Sequence, residues 1–258
     1  MLSDDELLRY HRQILLPNWD VAGQEALRSA TVMIVGLGGL GSVLSQYLVA
    51  AGVGCVKLVD FDRVEVTNLQ RQPIHNEASV GVLKVDSAAQ ALRALNSYCQ
   101  IETCSQALNA ENFAELSVAV DVIADCCDNF ATRDLINALA WPAGIPVVSA
   151  AAIGWQGQLA VFDPRQANSA CYRCVYPAVD EEGASCSEVG VMASTVAVMG
   201  SWQAQEVLKV IANIGQSLVG QLLLWDGFSN EVRRLRTPRD PNCAVCAHPF
   251  CAHQGDTP

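Results

Sequence analysis

The sequence predicts an α/β fold in which a doubly wound, mainly parallel sheet carries a C-terminal antiparallel extension. Three observations lead to this prediction. Short apolar segments alternate with helical patterns between residues 31 and 154, and a glycine-rich turn joins the first segment to a helix. Near the C-terminus, two further apolar segments flank Asp226-Gly227, which predicts a hairpin. Because no linker or repeat interrupts the chain, we expect a single domain over residues 1–258.

The composition is that of a globular chain, and it narrows the classes of partner. Of the 258 residues, 51% are hydrophobic and 17% are charged, which suits a large buried core. The net charge of −11 argues against non-specific binding to nucleic acids or anionic membranes. No apolar run is long enough to span a bilayer, and the acidic start MLSDDELL does not resemble a signal peptide. We therefore expect a cytoplasmic protein.

The first predicted element is a helix over residues 3–16, in the segment SDDELLRYHRQILL. Ser3 stands at its start and acidic residues follow in the first turn, as in a capped helix. Arg12 lies in this helix beside His11 and Gln13. From this segment alone, the three side chains are interpreted as part of a solvated face.

A glycine-rich turn after the first strand is the clearest sign of function. The strand is predicted at residues 32–35, and the turn GLGGLG follows it directly. Gly36 permits a tight turn, Gly38 lets the backbone approach a phosphate, and Gly41 lets the next helix pack against the strand. The start of that helix offers free N–H groups and a positive dipole end to an anion.

The elements after the turn complete the pattern of a nucleotide site. The apolar helix ends at Gly52, and a second strand is predicted at residues 55–62. Asp60 falls near the distance at which an acidic residue accepts a hydrogen bond from a ribose hydroxyl. Strand, turn, helix, strand and acid thus come in the order of a Rossmann-like fold, which is stronger evidence than GxGxxG alone.

A polar loop follows the second strand, and Pro73 argues against a helix there. Doubly wound folds place ligand contacts in such loops, just beyond the carboxyl end of a strand. Lys84 then opens a helix predicted at residues 84–95. Arg71 and Lys84 could each be a surface charge. Because both follow the same predicted nucleotide-binding strand, a role in binding is favoured. The polar residues of the loop are Asp62, Asn68, Gln70, Arg71 and Gln72.

A carboxylate follows a later buried strand, in the segment VDVIADCCDN. In a parallel sheet, Asp128 would lie on the same rim as the glycine-rich turn, next to Asn129. A carboxylate near phosphates repels them unless a cation lies between, so Mg²⁺ is the inferred cation. The alternative is that Asp128 caps the helix predicted at residues 131–141, which requires the same residue types. Both interpretations stay open at this point.

Other elements are predicted from their patterns. Strands are predicted at residues 99–104, 145–154 and 155–164, and the hairpin at 220–237. A short helix is predicted at 109–117 and a long helix at 191–215. A mobile acidic crossover segment that carries Cys186 is predicted at 176–190.

Two CxxC pairs predict a metal site rather than a disulfide framework. Cys171 and Cys174 form one pair, and Cys243 and Cys246 form the other. If the fold brings the pairs together, they make a tetrahedral Cys₄ site of the kind that binds structural zinc. Such a site would tie the end of the chain to the sheet. Free buried thiols are the alternative, and Cys251 and His253 could compete as ligands.

Taken together, the motifs resemble those of a known family, the MoeB/ThiF/HesA adenylyltransferases, which are prokaryotic relatives of ubiquitin-activating enzymes. The resemblance runs from about Leu7 to Cys246, nearly the whole chain. It rests on RYHRQILL, GLGGLGS, DFDRVEVTNLQRQ, LKVDSA, DCCDN, CYRC and CAVC, in this order. It implies a homodimer that uses ATP and Mg²⁺ to adenylate the C-terminal Gly-Gly carboxylate of a small ubiquitin-like (β-grasp) sulfur-carrier protein.

The resemblance also implies roles for individual residues. The glycine-rich turn would hold the ATP phosphates, Asp60 the ribose and Asp128 Mg²⁺, while the four paired cysteines would bind structural Zn²⁺. Arg12 would reach the ATP of the neighbouring subunit, which reverses the solvated-face interpretation. The expected catalytic residues are Arg12, Arg71, Lys84, Asp128 and the reactive cysteine Cys186 of SCSEVGVMA. The expected nucleotide-binding residues are Gly36, Gly38, Gly39, Gly41, Asp60, Asp62, Asn68, Gln70, Arg71, Lys84, Asp128 and Asn129.

Several functions remain open after this comparison. Activation of a sulfur carrier for molybdopterin biosynthesis is placed ahead of the corresponding step in thiamine biosynthesis. An NAD-dependent oxidoreductase would share GxGxxG and Asp60, and a non-catalytic scaffold could keep the fold and bind a carrier tail. A triphosphate with Mg²⁺ needs more compensating charge than a dinucleotide. The set Arg12, Arg71, Lys84 and Asp128 therefore favours the adenylyltransferase function over the oxidoreductase function.

Overall fold

A single eight-stranded sheet forms the centre of the molecule. In this computed structural model, the structure describes residues 1–177 and 190–247. The strand order is β3-β2-β1-β4-β5-β6-β7-β8. The strands are β1 (Thr31–Val35), β2 (Cys55–Val59), β3 (Gln100–Cys104), β4 (Val122–Asp125), β5 (Val147–Ile153), β6 (Gln156–Phe162), β7 (Gln221–Asp226) and β8 (Glu231–Arg236).

The sheet changes from parallel to antiparallel at one position. Strands β3, β2, β1, β4 and β5 pair in parallel, with Val32 opposite Val56 on one side and Val122 on the other. Strand β6 returns beside β5 in the antiparallel direction after a two-residue turn, and β7 and β8 continue this direction. The predicted mainly parallel sheet with a C-terminal antiparallel extension is therefore confirmed.

Helices cover both faces of the sheet. Alternate residues of β1 point to opposite faces of the sheet. Val32 and Ile34 join the core beneath the helices Gly39–Ala51, Lys84–Leu95 and Ala193–Ala212. Met33 and Val35 pack with the helices Ala110–Leu116 and Phe130–Ala140 on the other face. The helices are α1 (Asp4–Arg9), α2 (His11–Ile14), α3 (Asp20–Ser29), α4 (Gly39–Ala51), α5 (Lys84–Leu95), α6 (Ala110–Leu116), α7 (Phe130–Ala140), α8 (Tyr172–Val175) and α9 (Ala193–Ala212). None of the helices in the described ranges is both long and apolar enough to cross a membrane.

The N-terminal segment differs from the single predicted helix. Ser3 caps α1 in a capping box with Glu6, as expected, but the helix ends at Tyr10 and α2 starts immediately after it. The Tyr10 ring is buried, and its hydroxyl accepts a hydrogen bond from Asn96 Nδ2 at 2.9 Å. Anchoring of Tyr10 to a residue 86 positions away thus interrupts the local helical pattern.

The long helix α9 packs alongside α4, and their N-terminal turns meet. A Cβ built on Gly39 would lie 3.0 Å from Val196, and one built on Gly200 would lie 2.9 Å from the Leu40 carbonyl oxygen. The absence of side chains at these glycines therefore lets the two helices approach closely. The predicted crossover segment lies mostly outside the described residues, and Cys186 lies outside them entirely.

Candidate active site

A cavity of about 600 Å³ opens at the carboxyl ends of the parallel strands. This volume is within the range of small-molecule sites. Val35, Val59 and Cys126, at the ends of β1, β2 and β4, lie on its wall. The fold brings most of the expected nucleotide-binding residues to this cavity: Gly36, Gly38, Gly39, Asp60, Asp62, Asn68, Arg71, Lys84, Asp128 and Asn129.

The glycine-rich turn has the geometry that its sequence predicts. Gly36 has φ +92°, and a Cβ there would lie 2.8 Å from the Cys126 carbonyl oxygen. A Cβ on Gly41 would lie only 2.0 Å from the Gly36 carbonyl oxygen, so α4 packs directly against the turn. Gly38 is the N-cap of α4 and provides no side-chain hydrogen bond to it. The first N–H groups of α4 are therefore left to an anion.

Asp60 orders the backbone around the turn. Its Oδ2 accepts a hydrogen bond from Leu37 N at 2.7 Å, and its Oδ1 accepts one from Asp62 N at 2.8 Å. Burial raises the pKa of this carboxyl, although the nearby Lys84 opposes the rise. Each carboxylate oxygen can accept more than one hydrogen bond, so Asp60 retains capacity for a ligand hydroxyl.

The expected cations lie on the wall beyond Asp60. Lys84, the first residue of α5, is buried and forms an ion pair with Asp62 at 2.8 Å. Arg71 is half-buried and donates from Nη1 to the Thr67 carbonyl at 3.1 Å. Its other guanidinium donors remain available, because one such bond uses only part of the group.

Asn129 rather than Asp128 caps α7. The Asn129 Oδ1 accepts a hydrogen bond from Thr132 N at 2.9 Å, as an N-cap side chain does. The Asp128 side chain is exposed and lines the cavity, and its only hydrogen bond to a described residue is accepted from the Asn129 amide at 3.4 Å. Asn129 therefore has the capping role that was considered for Asp128, and the Asp128 carboxylate faces the cavity.

Some of the expected residues lie apart from the cavity. Gly41 packs behind the turn, Gln70 is exposed outside the wall, and Arg12 is exposed on α2. The structure thus does not bring Arg12 to the cavity of its own chain.

Two buried polar residues of the wall are not among the expected nucleotide-binding residues. Arg133 donates to the carbonyl oxygens of Cys127 and Ala150, and it lies 3.9 Å from the Asp125 carboxylate. The sequence did contain a sign that Arg133 is buried, because it lies on the same face of α7 as the buried residues Ile136, Asn137 and Ala140. Gln72 is the second residue, and it had been noted only as part of the polar loop.

The four paired cysteines meet at a separate site beside α8. All four Sγ atoms lie within 4.8 Å of one another. The two pairs approach through Cys171 and Cys243 at 3.6 Å and through Cys174 and Cys246 at 3.3 Å. Four sulfurs at this spacing suit one tetrahedral metal ion. The possible competitors, Cys251 and His253, lie outside the described residues.

Comparisons with known proteins agree with the motifs. The model of the ThiF family matches residues 10–245. The molybdopterin-synthase adenylyltransferase of Salmonella typhimurium is 43% identical over 245 residues, which cover 95% of this chain and 98% of that protein. The Escherichia coli protein of the same name is 44% identical with the same coverage. A Mus musculus protein named adenylyltransferase and sulfurtransferase MOCS3 is 47% identical over 248 residues, 95% of this chain but 54% of that protein.

Solved structures give the same fold at lower identity. Escherichia coli MccB is similar with a TM-score of 0.82 and 22% identity, covering 99% of this chain and 76% of that chain. PaaA is similar with a TM-score of 0.80 and 24% identity, covering 93% of this chain and 76% of that chain. At these identities, the likeness shows the fold alone.

Proposed function

The chain belongs to the ThiF family, and from this premise we propose that it adenylates the C-terminal carboxylate of a small sulfur-carrier protein in molybdopterin biosynthesis. The relatives that share 43% and 44% of its residues over almost their whole length are molybdopterin-synthase adenylyltransferases. The observation that carries the proposal is one cavity that gathers a helix N-terminus, Arg71, Lys84 and Asp128.

The chemistry of adenylation matches this set of groups. A carrier carboxylate attacks the α-phosphorus of ATP, an acyl–phosphate bond forms and pyrophosphate leaves. Because the carboxylate is already ionised at neutral pH, the reaction needs positioning and charge neutralisation more than acid–base catalysis. In this proposal, the turn at Gly36–Gly39 holds the phosphates, Asp60 accepts from the ribose, and Arg71 and Lys84 compensate the negative charge.

Asp128 fits the role of a Mg²⁺ ligand. Its carboxylate lines the cavity, is released from capping by Asn129, and has no basic side chain bonded to it among the described residues. Mg²⁺ prefers such oxygen ligands and is bound by one or two carboxylates together with phosphates. When bound, the ion would supply charge neutralisation at the phosphates.

The sheet extension supports a peptide tail as the second substrate. The cavity continues from the strand ends along β6 and β7, where Gln158 and Leu224 lie on its wall. An extended Gly-Gly tail has no side chains to clash with such a wall. We propose that the carrier is a β-grasp protein whose tail enters by this route. Cys186 stays a predicted reactive thiol, since it lies outside the described residues.

The N-terminal helices support a homodimer. Leu8, Leu15 and Leu16 are 78%, 63% and 55% exposed on both sides of Arg12. Large exposed apolar side chains grouped in this way are typical of an association surface. We propose that this surface pairs two chains and that Arg12 thereby reaches the nucleotide of the partner subunit.

The Cys₄ cluster supports a structural zinc ion. Cys171 and Cys243 are buried, and the whole cluster lies apart from the cavity. Closed sites with four cysteine ligands are typical of structural rather than catalytic zinc.

The competing dinucleotide interpretation is weakened by topology. A dinucleotide fold repeats the βαβαβ unit, and its sixth strand continues the parallel sheet. Here β4 and β5 are parallel, but β6 runs antiparallel to β5 after a short turn, so the second half of that fold is incomplete. The topology favours one mononucleotide instead. Activation of the thiamine sulfur carrier uses the same chemistry and remains the alternative pathway.

An exchange assay tests the proposal. We expect ATP–pyrophosphate exchange with Mg²⁺ and a carrier that ends in Gly-Gly, and greater exchange with the molybdopterin carrier than with the thiamine carrier. Asp128→Ala should reduce exchange by about 100-fold or more while the melting temperature stays unchanged. Asp134→Ala is the matched control, because this carboxylate lies on α7 outside the cavity and pairs with Arg173. Exchange without any carrier, or an active Asp128→Ala protein, would contradict the proposal.

A further inference from the structure

Two of the three buried glutamines in the described part of the chain are fully hydrogen-bonded within the protein. Gln24 donates from Nε2 to the Ala51 carbonyl at 2.9 Å, and its Oε1 accepts from Gln13 and Trp19. Both ends of this amide thus join α3 to its surroundings. Such complete pairing is the rule for buried polar side chains.

Gln203 follows the same rule in the middle of α9. Its Nε2 donates to the carbonyl oxygens of Asp125 and Val148, at 2.8 and 2.9 Å. Its Oε1 accepts from the thiol of Cys126 at 3.3 Å. This side chain therefore ties the helix to β4 and β5, and its role is structural.

Gln72 differs from both. It is only 2% exposed, and its Oε1 has no hydrogen-bond partner. No hydrogen bond joins its amide to any residue that the structure describes. An unpaired amide at this depth costs free energy, so a purely structural role does not account for glutamine at this position.

The amide of Gln72 is directed at the glycine-rich turn. The residue lines the cavity, and its Nε2 lies 3.9 Å from the point where a Cβ on Gly38 would stand. Among the described residues, no other heavy atom outside the chain neighbours of Gly38 lies within 4 Å of that point. Gly38 is also the N-cap of the 13-residue helix α4, whose first N–H groups are free. The side chain thus borders the space next to a helix N-terminus.

We propose that Gln72 is a nucleotide-binding residue whose amide donates a hydrogen bond to a phosphate oxygen held at Gly38 and the start of α4. This inference rests on the proposed use of ATP. A neutral amide suits a position that is 2% exposed, because a second buried cation in the cavity wall, in addition to Lys84, would be costly to desolvate. The amide oxygen then accepts from a water that enters with the hydrated phosphate.

Binding measurements with three ligands test this role. Adenosine, AMP and ATP are titrated calorimetrically against the full chain without carrier, and melting temperatures are recorded without ligand. Gln72→Met keeps the length of the side chain but removes the donor, and it should weaken ATP binding about tenfold, which corresponds to about 1.4 kcal/mol. Gln72→Glu places a negative charge beside the phosphate and should weaken ATP binding more than Gln72→Met does. Adenosine, which has no phosphate, should bind all variants equally.

Gln216→Glu is the matched control, since it adds the same charge at an exposed position away from the cavity. Equal ATP affinity in Gln72→Met and the wild type would overturn the inference. Equal loss of adenosine and ATP affinity would also overturn it, because such a loss indicates a distorted cavity. A wild-type protein that binds no ATP would overturn the proposed adenylyltransferase itself and, with it, this role for Gln72.

Discussion

At the scale of single residues, the glycines of the turn differ in what makes a side chain unacceptable at each position. Gly41 is required by the backbone, because its Cα faces the Gly36 carbonyl oxygen at a distance that admits no side chain. Gly38 has an ordinary φ of −71°, and a Cβ built there would make only a van der Waals contact with Gln72 Nε2, at 3.9 Å, among the described residues. The fold would therefore tolerate a side chain at Gly38, whereas the proposed phosphate would not.

This difference can be measured with two alanine variants. Gly41→Ala should lower the melting temperature strongly or prevent folding, because the new Cβ would overlap a backbone oxygen that cannot move freely. Gly38→Ala should fold normally and lose ATP affinity, since its Cβ would occupy the space of a phosphate. Thermal denaturation and nucleotide titration of both proteins check the prediction. Normal ATP binding by Gly38→Ala would show that the phosphates lie elsewhere.

His75 gives the stability a defined pH dependence. The side chain is buried against α5, with its Nδ1 2.9 Å from Ser87 Oγ. Burial lowers the pKa of His75 from 6.5 to about 4, and the nearby Lys84 contributes to the decrease. Between these pH values, the unfolded chain binds a proton that the folded chain excludes. Stability therefore falls as the pH is lowered from 6.5 towards 4.

Substitution of His75 should remove this dependence. The free energy of unfolding of the wild type should fall by up to roughly 3 kcal/mol over this range because of His75, and His75→Gln should flatten the curve. Urea denaturation at a series of pH values measures the effect. His11→Gln is the control, because His11 is exposed on α2. A curve for His75→Gln as steep as that of the wild type would assign the dependence to other groups.

Most of the nucleotide-binding residues expected from the sequence lie on the cavity wall, because they follow strands at fixed places in a known pattern. The sequence could not decide whether Asp128 or Asn129 caps α7, since both types can cap and the choice depends on local backbone geometry. Nor could it identify Gln72, because the direction of a side chain in an irregular loop is set by tertiary packing. Arg133 was missed because a charge in a buried helical stripe is identified only from its partners.

At the scale of elements, predictions failed where distant contacts override local pattern. The single N-terminal helix divides at Tyr10 because that ring is anchored to Asn96. Helix α3 was not predicted, and it contains Gly23, which lowers helical propensity but packs against the Trp19 ring. The hairpin around Asp226-Gly227 was predicted because its signal is local: Asp226 Oδ1 accepts from the backbone N–H groups of Phe228 and Ser229.

The Cys₄ cluster joins two elements that are far apart in the chain. Cys171 and Cys243 are 72 positions apart, so a shared metal ion would tie the segment after β8 to α8. We expect one zinc ion per chain. Cys243→Ser with Cys246→Ser should lose the ion and lower the melting temperature, because metal-binding free energy contributes to folding. Elemental analysis and thermal denaturation check both results.

Cys55→Ser provides the control for this experiment, since Cys55 is a free cysteine on β2 outside the cluster. It should retain the metal and the stability of the wild type. A full zinc complement in the double variant would instead assign the ion to other ligands, of which Cys251 and His253 are the candidates.

At the scale of the whole molecule, the proposed active site requires two chains. Arg12 is exposed on α2, with the exposed Leu8 before it in the chain and the exposed Leu15 and Leu16 after it, and it lies away from the cavity of its own chain. Only pairing of this surface with a second copy would give its guanidinium a phosphate to contact. In this proposal, the active site therefore extends across the boundary between two subunits.

Mixing two inactive proteins tests this arrangement. Arg12→Ala and Asp128→Ala should each be nearly inactive, because each removes one contribution to charge stabilisation. After subunit exchange, every mixed dimer has one site with both residues intact and one site that lacks both. Random mixing should therefore restore about one quarter of wild-type activity. No recovery despite demonstrated exchange would mean that Arg12 acts within its own chain or has only a structural role.

The close packing of α9 on α4 has a consequence for protein synthesis. The glycine-rich turn emerges early from the ribosome, but Val196, which covers Gly39 and lines the cavity, is made much later. Until then, the apolar face of α4 around Leu40 and Val43 has no partner in α9. A nascent chain that stops before α9 would therefore expose this face to chaperones and lack a complete nucleotide cavity. If the proposed function is correct, ATP can stabilise the nascent protein only after α9, which begins at Ala193, has been translated.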